Sequence, residues 1–222
     1  MQFKIRASAC GKIMTNARKK GELSKTCTSY LEQWVKEQIY GRQKEISSKY
    51  MEKGLIMEDE SIDFVNRYLG FDGLMLKNEK HFKDDFMTGT PDVITKKFII
   101  DVKNSWDFST FPLFEDKINT DYYWQGQVYM YLTGVNHFKL IYTLMDTPEH
   151  LIEREAFSYA KRWGYEKLTD EIYDKFLHKM TYKDIEEKHK IKVFDIPKDE
   201  ESIEQIKQRV KECQDYINQL NY

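Results

Sequence analysis

The chain has 222 residues, of which 41% are hydrophobic, 32% charged and 14% aromatic, so it is long enough for a real core and too apolar for disorder. Its longest apolar run, Val128–Leu132, is far short of a bilayer span, it opens without a secretory core, and Cys10, Cys27 and Cys213 follow no zinc or iron–sulfur spacing. A membrane protein, a disulfide scaffold and a Cys-ligated metal domain are thereby excluded, and the net charge of -2 conceals a net of +7 in residues 1–53 against -9 in residues 54–222.

Free thiols suit a reducing cytoplasm. The basic first quarter suits an anionic partner, although a lysine-rich solvated surface would give the same count. In chain order, residues 8–16 read as a short helix capped by Ser8, and Arg18–Thr26 as a basic loop. Ser29 is the expected cap of a helix carrying Leu31, Trp34, Val35 and Ile39, which ends near Gly41. A longer helix is expected from Ser47 to Leu69, stopped by Gly70.

From Phe71 to Asn104 the period shortens. Leu74–Leu76, Lys80–Phe82, Asp92–Ile94 and Phe98–Val102 read as short strands joined by polar turns. Helices are expected over Tyr122–Thr133, Pro148–Trp163, Thr169–Met180 and Asp199–Leu220. The last carries Ile203, Ile206, Val210 and Ile217 on one stripe. Strands are expected at Phe138–Leu144 and Ile191–Ile196. This order predicts an α/β (α+β) class: one domain, residues 1–222, with a central mixed sheet flanked by helices.

Three acidic positions stand out. On the helix from Ser47, the residues Met51, Leu55, Ile62, Val65 and Leu69 should face the core, and Glu58 falls on the same stripe. An ionised carboxylate there needs a partner, either a lysine at the stripe's edge or a metal ion. On the strand Phe98–Asn104, Asp101 and Lys103 project from one face while Phe98, Ile100 and Val102 fill the other. They could be a structural ion pair, or a metal ligand beside a cation. In Gly89-Thr90-Pro91-Asp92, proline stiffens the approach to Asp92, which begins a strand next to the one bearing Asp101. A hairpin would bring both carboxylates to one end of the sheet. Hard oxygen ligands of this kind suit Mg²⁺ or Mn²⁺.

A glutamate on a helix, then G-T-P-D, then D-V-K resembles the PD-(D/E)xK nuclease signature. GLIMEDES around Glu58, YYWQGQVYMYLTG from Tyr122 to Gly134, and RASACGKIM near the start narrow the resemblance to the phage lambda exonuclease-like family, from about Ile5 to Met145. Residues 150–190 have no counterpart in it that the sequence reveals, and Asp101 stands where the lambda enzyme has Glu. The N-terminus is also shorter than the lambda enzyme's, so an arginine which that family uses for the 5′-phosphate has no aligned position; Arg6 is the candidate substitute.

The resemblance implies a restriction-endonuclease-like core over residues 54–146, between a basic helical part at 1–53 and a C-terminal helical part at 147–222. It implies hydrolysis of DNA with Mg²⁺, for which Mn²⁺ substitutes, held by Asp92, Asp101 and the Val102 carbonyl, with Glu58 on a second ion or its water shell. Lys103 would orient or deprotonate the attacking water. Gln125 and Gln127 lie about 200° apart on a helix, so only one can face the site. Gln127-x-x-x-Tyr131 reproduces the superfamily's Q-x-x-x-Y spacing, and Gln127 is the preferred one; Gln125-x-x-x-Tyr129 has the same spacing.

Ser8 and Arg6 are the expected 5′-phosphate contacts, and Arg18, Lys19, Lys20 and Lys25 would track the backbone, with Gln125 also near DNA. Tyr122, Tyr123 and Trp124 could stack on unpaired bases, though core packing explains them as well. The implied activity is a 5′→3′ exonuclease on duplex ends that prepares single strands for recombination. The implied partners are a ring of identical chains, a trimer in that family, and a phage single-strand annealing protein, in a bacterial host cytoplasm. A structure-specific or restriction-type endonuclease, and a non-catalytic DNA-binding module, are the alternatives.

Overall fold

A computed structural model describes residues 1–45, 47–70 and 75–220. The elements run β1 (Ile5–Arg6), a 3₁₀ turn (Ala7–Ala9), α1 (Cys10–Ile13), α2 (Lys25–Tyr40), α3 (Lys49–Leu69), β2 (Phe82–Lys83), β3 (Met87–Gly89), β4 (Val93–Ile94) and β5 (Ile99–Asn104). They continue with α4 (Thr120–Thr133), β6 (His137–Thr143), α5 (Glu149–Arg162), α6 (Asp170–Met180), a 3₁₀ turn (Glu187–His189), β7 (Ile191–Pro197) and α7 (Glu200–Gln219). The expected α/β class with mixed sheets and flanking helices is the class observed.

Two sheets form. The larger has the order β4-β5-β6-β7, with β5 and β6 parallel and both outer pairs antiparallel. The smaller, β1-β3-β2, pairs Ile5 with Met87 in parallel and Phe82 with Gly89 antiparallel. β5 is central and buried on both faces, as its apolar start requires. Alternation sends Ile100 and Val102 to a core with Ile62, Phe64 and Val65 of α3. It sends Ile99 to the opposite core, with Val128 and Met130 of α4 and Ile206 and Val210 of α7. The sheet thus lies between α3 on one face and α1, α2, α4 and α7 on the other.

Local chemistry explains the helix ends. Ser24, Ser48, Asn119, Thr169 and Asp199 each accept a backbone N–H in the first turn of the helix they precede. Gly41, Gly70 and Gly134 close α2, α3 and α4 in the left-handed conformation. Ser24 therefore displaces Ser29 as the cap of α2, and the helix begins within the expected basic loop. Ser8 caps nothing: it lies inside the 3₁₀ turn, where no side chain serves as the cap. Of the expected strand at Leu74–Leu76, Leu74 lies outside the described residues, and only an isolated antiparallel bridge, Lys77 to Val93, forms there. Strands β1 and β3, two and three residues long, had no visible period.

Close packing of α4 on β6 depends on Gly126. A Cβ there would come within 2.2 Å of the Phe138 ring. Gly126→Ala should therefore lower stability by about 1–3 kcal/mol, although alanine is the better helix former. Urea denaturation measures this; an unchanged or raised midpoint would mean that α4 rides further from the sheet.

Candidate active site

The carboxyl end of β5 supplies the centre. Asp92, just ahead of β4, accepts a hydrogen bond through Oδ2 from the Val102 N–H at 3.0 Å. The short β4–β5 hairpin thereby sets Asp92 beside Asp101. Asp101 is 1% exposed, and its Oδ2 lies 2.5 Å from the Lys103 ammonium. Its Oδ1 accepts from Gln125 Nε2 at 2.9 Å. Gln125 Nε2 also donates to the Tyr129 hydroxyl at 3.0 Å, which in turn donates to the Thr90 carbonyl at 3.2 Å. This chain of bonds ties α4 to the G-T-P-D segment.

Electrostatics follow from the crowding. Burial and the neighbouring Asp101 charge push the Asp92 carboxyl well above the usual carboxylate range, against the pull of Lys103 and the Val102 N–H. Burial alone would lower the Lys103 ammonium, but the Asp101 and Asp92 carboxylates overcome it and hold the lysine charged. Tyr122 lies beneath, its ring centroid 5.5 Å from Lys103 Nζ.

Asp92, Lys103, Gln125, Glu58, Ser8 and Tyr122 all line one cavity of about 920 Å³. Glu58 also has the lysine partner its position on α3 called for: Lys77 Nζ donates to its Oε2 at 2.8 Å. The expected core stripe is only half right. Ile62 and Val65 are buried, but Met51 and Leu55 are 55% and 75% exposed and line the cavity mouth. A helix that runs from a core onto a cleft keeps its apolar period while its surroundings change.

The glutamines settle opposite to the expectation. Gln125 turns to Asp101, whereas Gln127 donates to the Pro197 carbonyl at 3.0 Å and accepts from the Asp199 N–H at 2.9 Å. Gln127 thus splices β7 to α7, away from the cavity. Gln125→Leu should cost about 10–100-fold in rate with the fold retained, as losses of supporting partners do. Gln127→Leu should instead lower stability by about 1–3 kcal/mol, because it removes both hydrogen bonds that a buried side chain makes to the β7–α7 junction. Parallel rate and denaturation measurements on both variants check this; a slow Gln127→Leu beside an unimpaired Gln125→Leu would reverse the assignment.

Other expected contacts scatter. Tyr123 bonds Asp199 and Ser202, and Trp124 packs on the core, so only Tyr122 of that aromatic trio faces the cavity. Arg18, Lys19 and Lys25 border a separate surface depression, and Lys20 is exposed beside them. Arg6, exposed on β1, is not among the residues that line the cavity with Ser8.

Several supporting residues gave no sequence signal. Ser61 of α3 and Thr143 of β6 both donate to Asn104 Oδ1 at 2.8 Å. Fully buried Lys53 donates to the Trp106 and Met145 carbonyls at 2.9 and 2.8 Å, and burial pulls it down to about 8 against Asp107 and Asp146. Together they clamp α3 to the ends of β5 and β6.

The donor set fits a divalent cation: the carboxylates of buried Asp101 and half-buried Asp92 repel, and a hard cation would relieve them. Among the described residues no three acidic, histidine or cysteine side chains close around a point. The protein would supply two carboxylates and leave the rest of the shell to water and phosphate, as Mg²⁺ commonly allows.

No family model matches the chain, and no curated protein matches it by sequence. Solved structures do. A phage-related exonuclease from Haemophilus somnus 129PT superimposes with a TM-score of 0.80 at 26% identity, over 99% of this chain and 95% of that one. The alkaline exonuclease LHK-Exo from Laribacter hongkongensis does so with a TM-score of 0.62 at 15% identity, over 97% and 88%. Its complex with dAMP gives a TM-score of 0.61 at 16% identity. The resemblance to lambda exonuclease-like nucleases of the PD-(D/E)xK type, first visible in G-T-P-D and D-V-K, thus extends to the fold of the whole chain.

Proposed function

We propose that this protein is a metal-dependent 5′→3′ exonuclease that degrades one strand of duplex DNA from its ends and leaves single strands for recombination. The observation that carries the reading is that Asp92, Lys103 and Gln125 line one cavity, with buried Asp101 bonded to both Lys103 and Gln125 and Asp92 held beside it by the Val102 N–H. The likeness to exonucleases along nearly the whole chain supports it.

In this reading Asp92 and Asp101 hold Mg²⁺, or Mn²⁺ in its place, with help from the Val102 carbonyl. The cation, when bound, lowers the cost of the charge that gathers on the phosphate as water attacks. Lys103 gives up its Asp101 partner to a phosphate oxygen or to the attacking water, orienting it and screening the developing charge. Glu58, released from Lys77, would bind a second ion or its water shell. Gln125 holds Asp101 in place. Ser8 contacts the terminal phosphate, and the basic segment Arg18–Lys25 follows the backbone without reading sequence. A ring of three chains would turn that segment toward enclosed DNA, and a single-strand annealing protein would receive the product.

Digestion of matched linear and covalently closed circular duplexes, with and without Mg²⁺, tests the proposal. Linear DNA should be degraded from its 5′ ends only with the metal, and circles should survive. Rapid cutting of closed circles would establish an endonuclease, and binding without any cleavage a non-catalytic module. Among the described residues no helix is long and apolar enough to cross a membrane.

A further inference from the structure

The cavity is larger than a phosphate and its ion require. Its volume of about 920 Å³ is that of sites which enclose a whole small molecule. Its lining takes in Lys103, Asn104, Ser105 and Trp106, successive in the chain, and Tyr50 from α3; the part walled by Trp106 and Tyr50 forms an aromatic arm. These rings meet edge to face, with centroids 5.5 Å apart and planes at 69°. Trp106 is 7% exposed and so fixed in place, while Tyr50 leans on it with 55% of its surface open.

Charge is neutralised along this arm. Lys49, 4.7 Å from the Trp106 centroid, is bound to Glu155 at 2.6 Å. Glu52, on the cavity lining, pairs with Arg154 at 2.8 Å. A flat uncharged group therefore suits the arm better than a second phosphate. Ser105, which precedes Trp106 in the chain and also lines the cavity, has a buried Oγ with no hydrogen-bond partner. Buried hydroxyls rarely stay unpaired, and rotation about the Cα–Cβ bond would turn this one into the cavity to meet a polar edge of a ligand.

We infer that the arm is a nucleobase subsite: the base of the terminal nucleotide, the one to be released, stacks on Tyr50 while its phosphodiester lies at Asp92 and Lys103. This rests on the exonuclease reading and adds a binding site to it. Stacking accepts every base, because each has a π face. An enzyme that removes nucleotides in succession needs that tolerance.

The test compares linear duplexes whose 5′-terminal nucleotide is either intact or abasic, with wild type, Tyr50→Phe and Tyr50→Ala. Wild type and Tyr50→Phe should release the intact nucleotide about tenfold more efficiently than the abasic one. Tyr50→Ala should lose that advantage and treat both ends alike. A second measurement needs no turnover: calorimetric titration with dAMP and with deoxyribose 5-phosphate. Wild type should prefer dAMP about tenfold, and Tyr50→Ala should not. Equal release of both ends by wild type would overturn the subsite and leave the nuclease reading intact, whereas no release of either end would defeat the nuclease reading itself. If Tyr50→Ala keeps the base preference but changes the molar mass in light scattering, the arm is an interface between copies and the inference is wrong.

Discussion

Lys103→Ala should bind duplex DNA within about threefold of wild type and turn it over about a thousandfold more slowly. The reason lies in its surroundings. Lys103 is held charged beside Asp101 and Asp92, so its ammonium is already placed where negative charge would grow on a cleaved phosphate. An interaction that strengthens only in the transition state appears in kcat and hardly in affinity. The substitution also leaves Asp101 without its cation, so the protein should be less stable in the absence of metal and should recover when metal is added. Binding by anisotropy, single-turnover cleavage and thermal melts with and without Mg²⁺ separate these effects. Full cleavage by the variant, or by wild type in EDTA, would sink the assignment.

Asp92→Asn should abolish metal-dependent cleavage, with a loss of about a thousandfold or more. It should also stabilise the metal-free protein at neutral pH. Asparagine can still accept the Val102 N–H, but it removes one of two neighbouring charges that repel. The sign follows from linkage. The folded-state pKa of Asp92 lies above its unfolded value of 3.8, so the native state binds more protons than the unfolded chain between the two. Metal-free wild type should therefore lose stability as pH rises from 3.8 through the raised folded value, and Asp92→Asn should lack that slope. The same proton competes with a cation, so Mg²⁺ affinity should fall as pH drops below neutral. Denaturation across the pH range and calorimetric Mg²⁺ titration at acid and slightly alkaline pH report both. If the variant is less stable at neutral pH, the two carboxylates do not repel in the way their burial implies.

Much of the centre was legible because it is local. Pro91 and the short hairpin bring Asp92 to Asp101 through nine residues of chain, and β alternation alone puts Asp101 and Lys103 on one face. The helices that packed as expected, such as α7 with Ile206, Val210 and Ile217 buried, have one apolar stripe and one core to meet. Capping was legible where one candidate stood next to the apolar period, and misread at α2, where Ser24 and Ser29 both stood near it.

What the chain's order could not decide depends on the neighbours of each element. Helix α4 is buried on several sides, so its period has no preferred face, and Gln125 and Gln127 looked alike until β5 and the β7–α7 junction came to opposite sides of it. Met51 and Leu55 keep the spacing of core residues on a stretch of α3 that overhangs a cleft. Strands β1 and β3 are too short to show alternation and form only where partners supply their hydrogen bonds, β3 for β1, and both β1 and β2 for β3. Tyr50 and Trp106, 56 positions apart, meet only because fully buried Lys53 and Ser61 clamp α3 to the ends of the sheet. Sequence thus determined which groups could do chemistry and how the nearest of them are spaced. Tertiary packing decided which of the rest share the cavity, because a side chain's direction is set by what its whole element leans against.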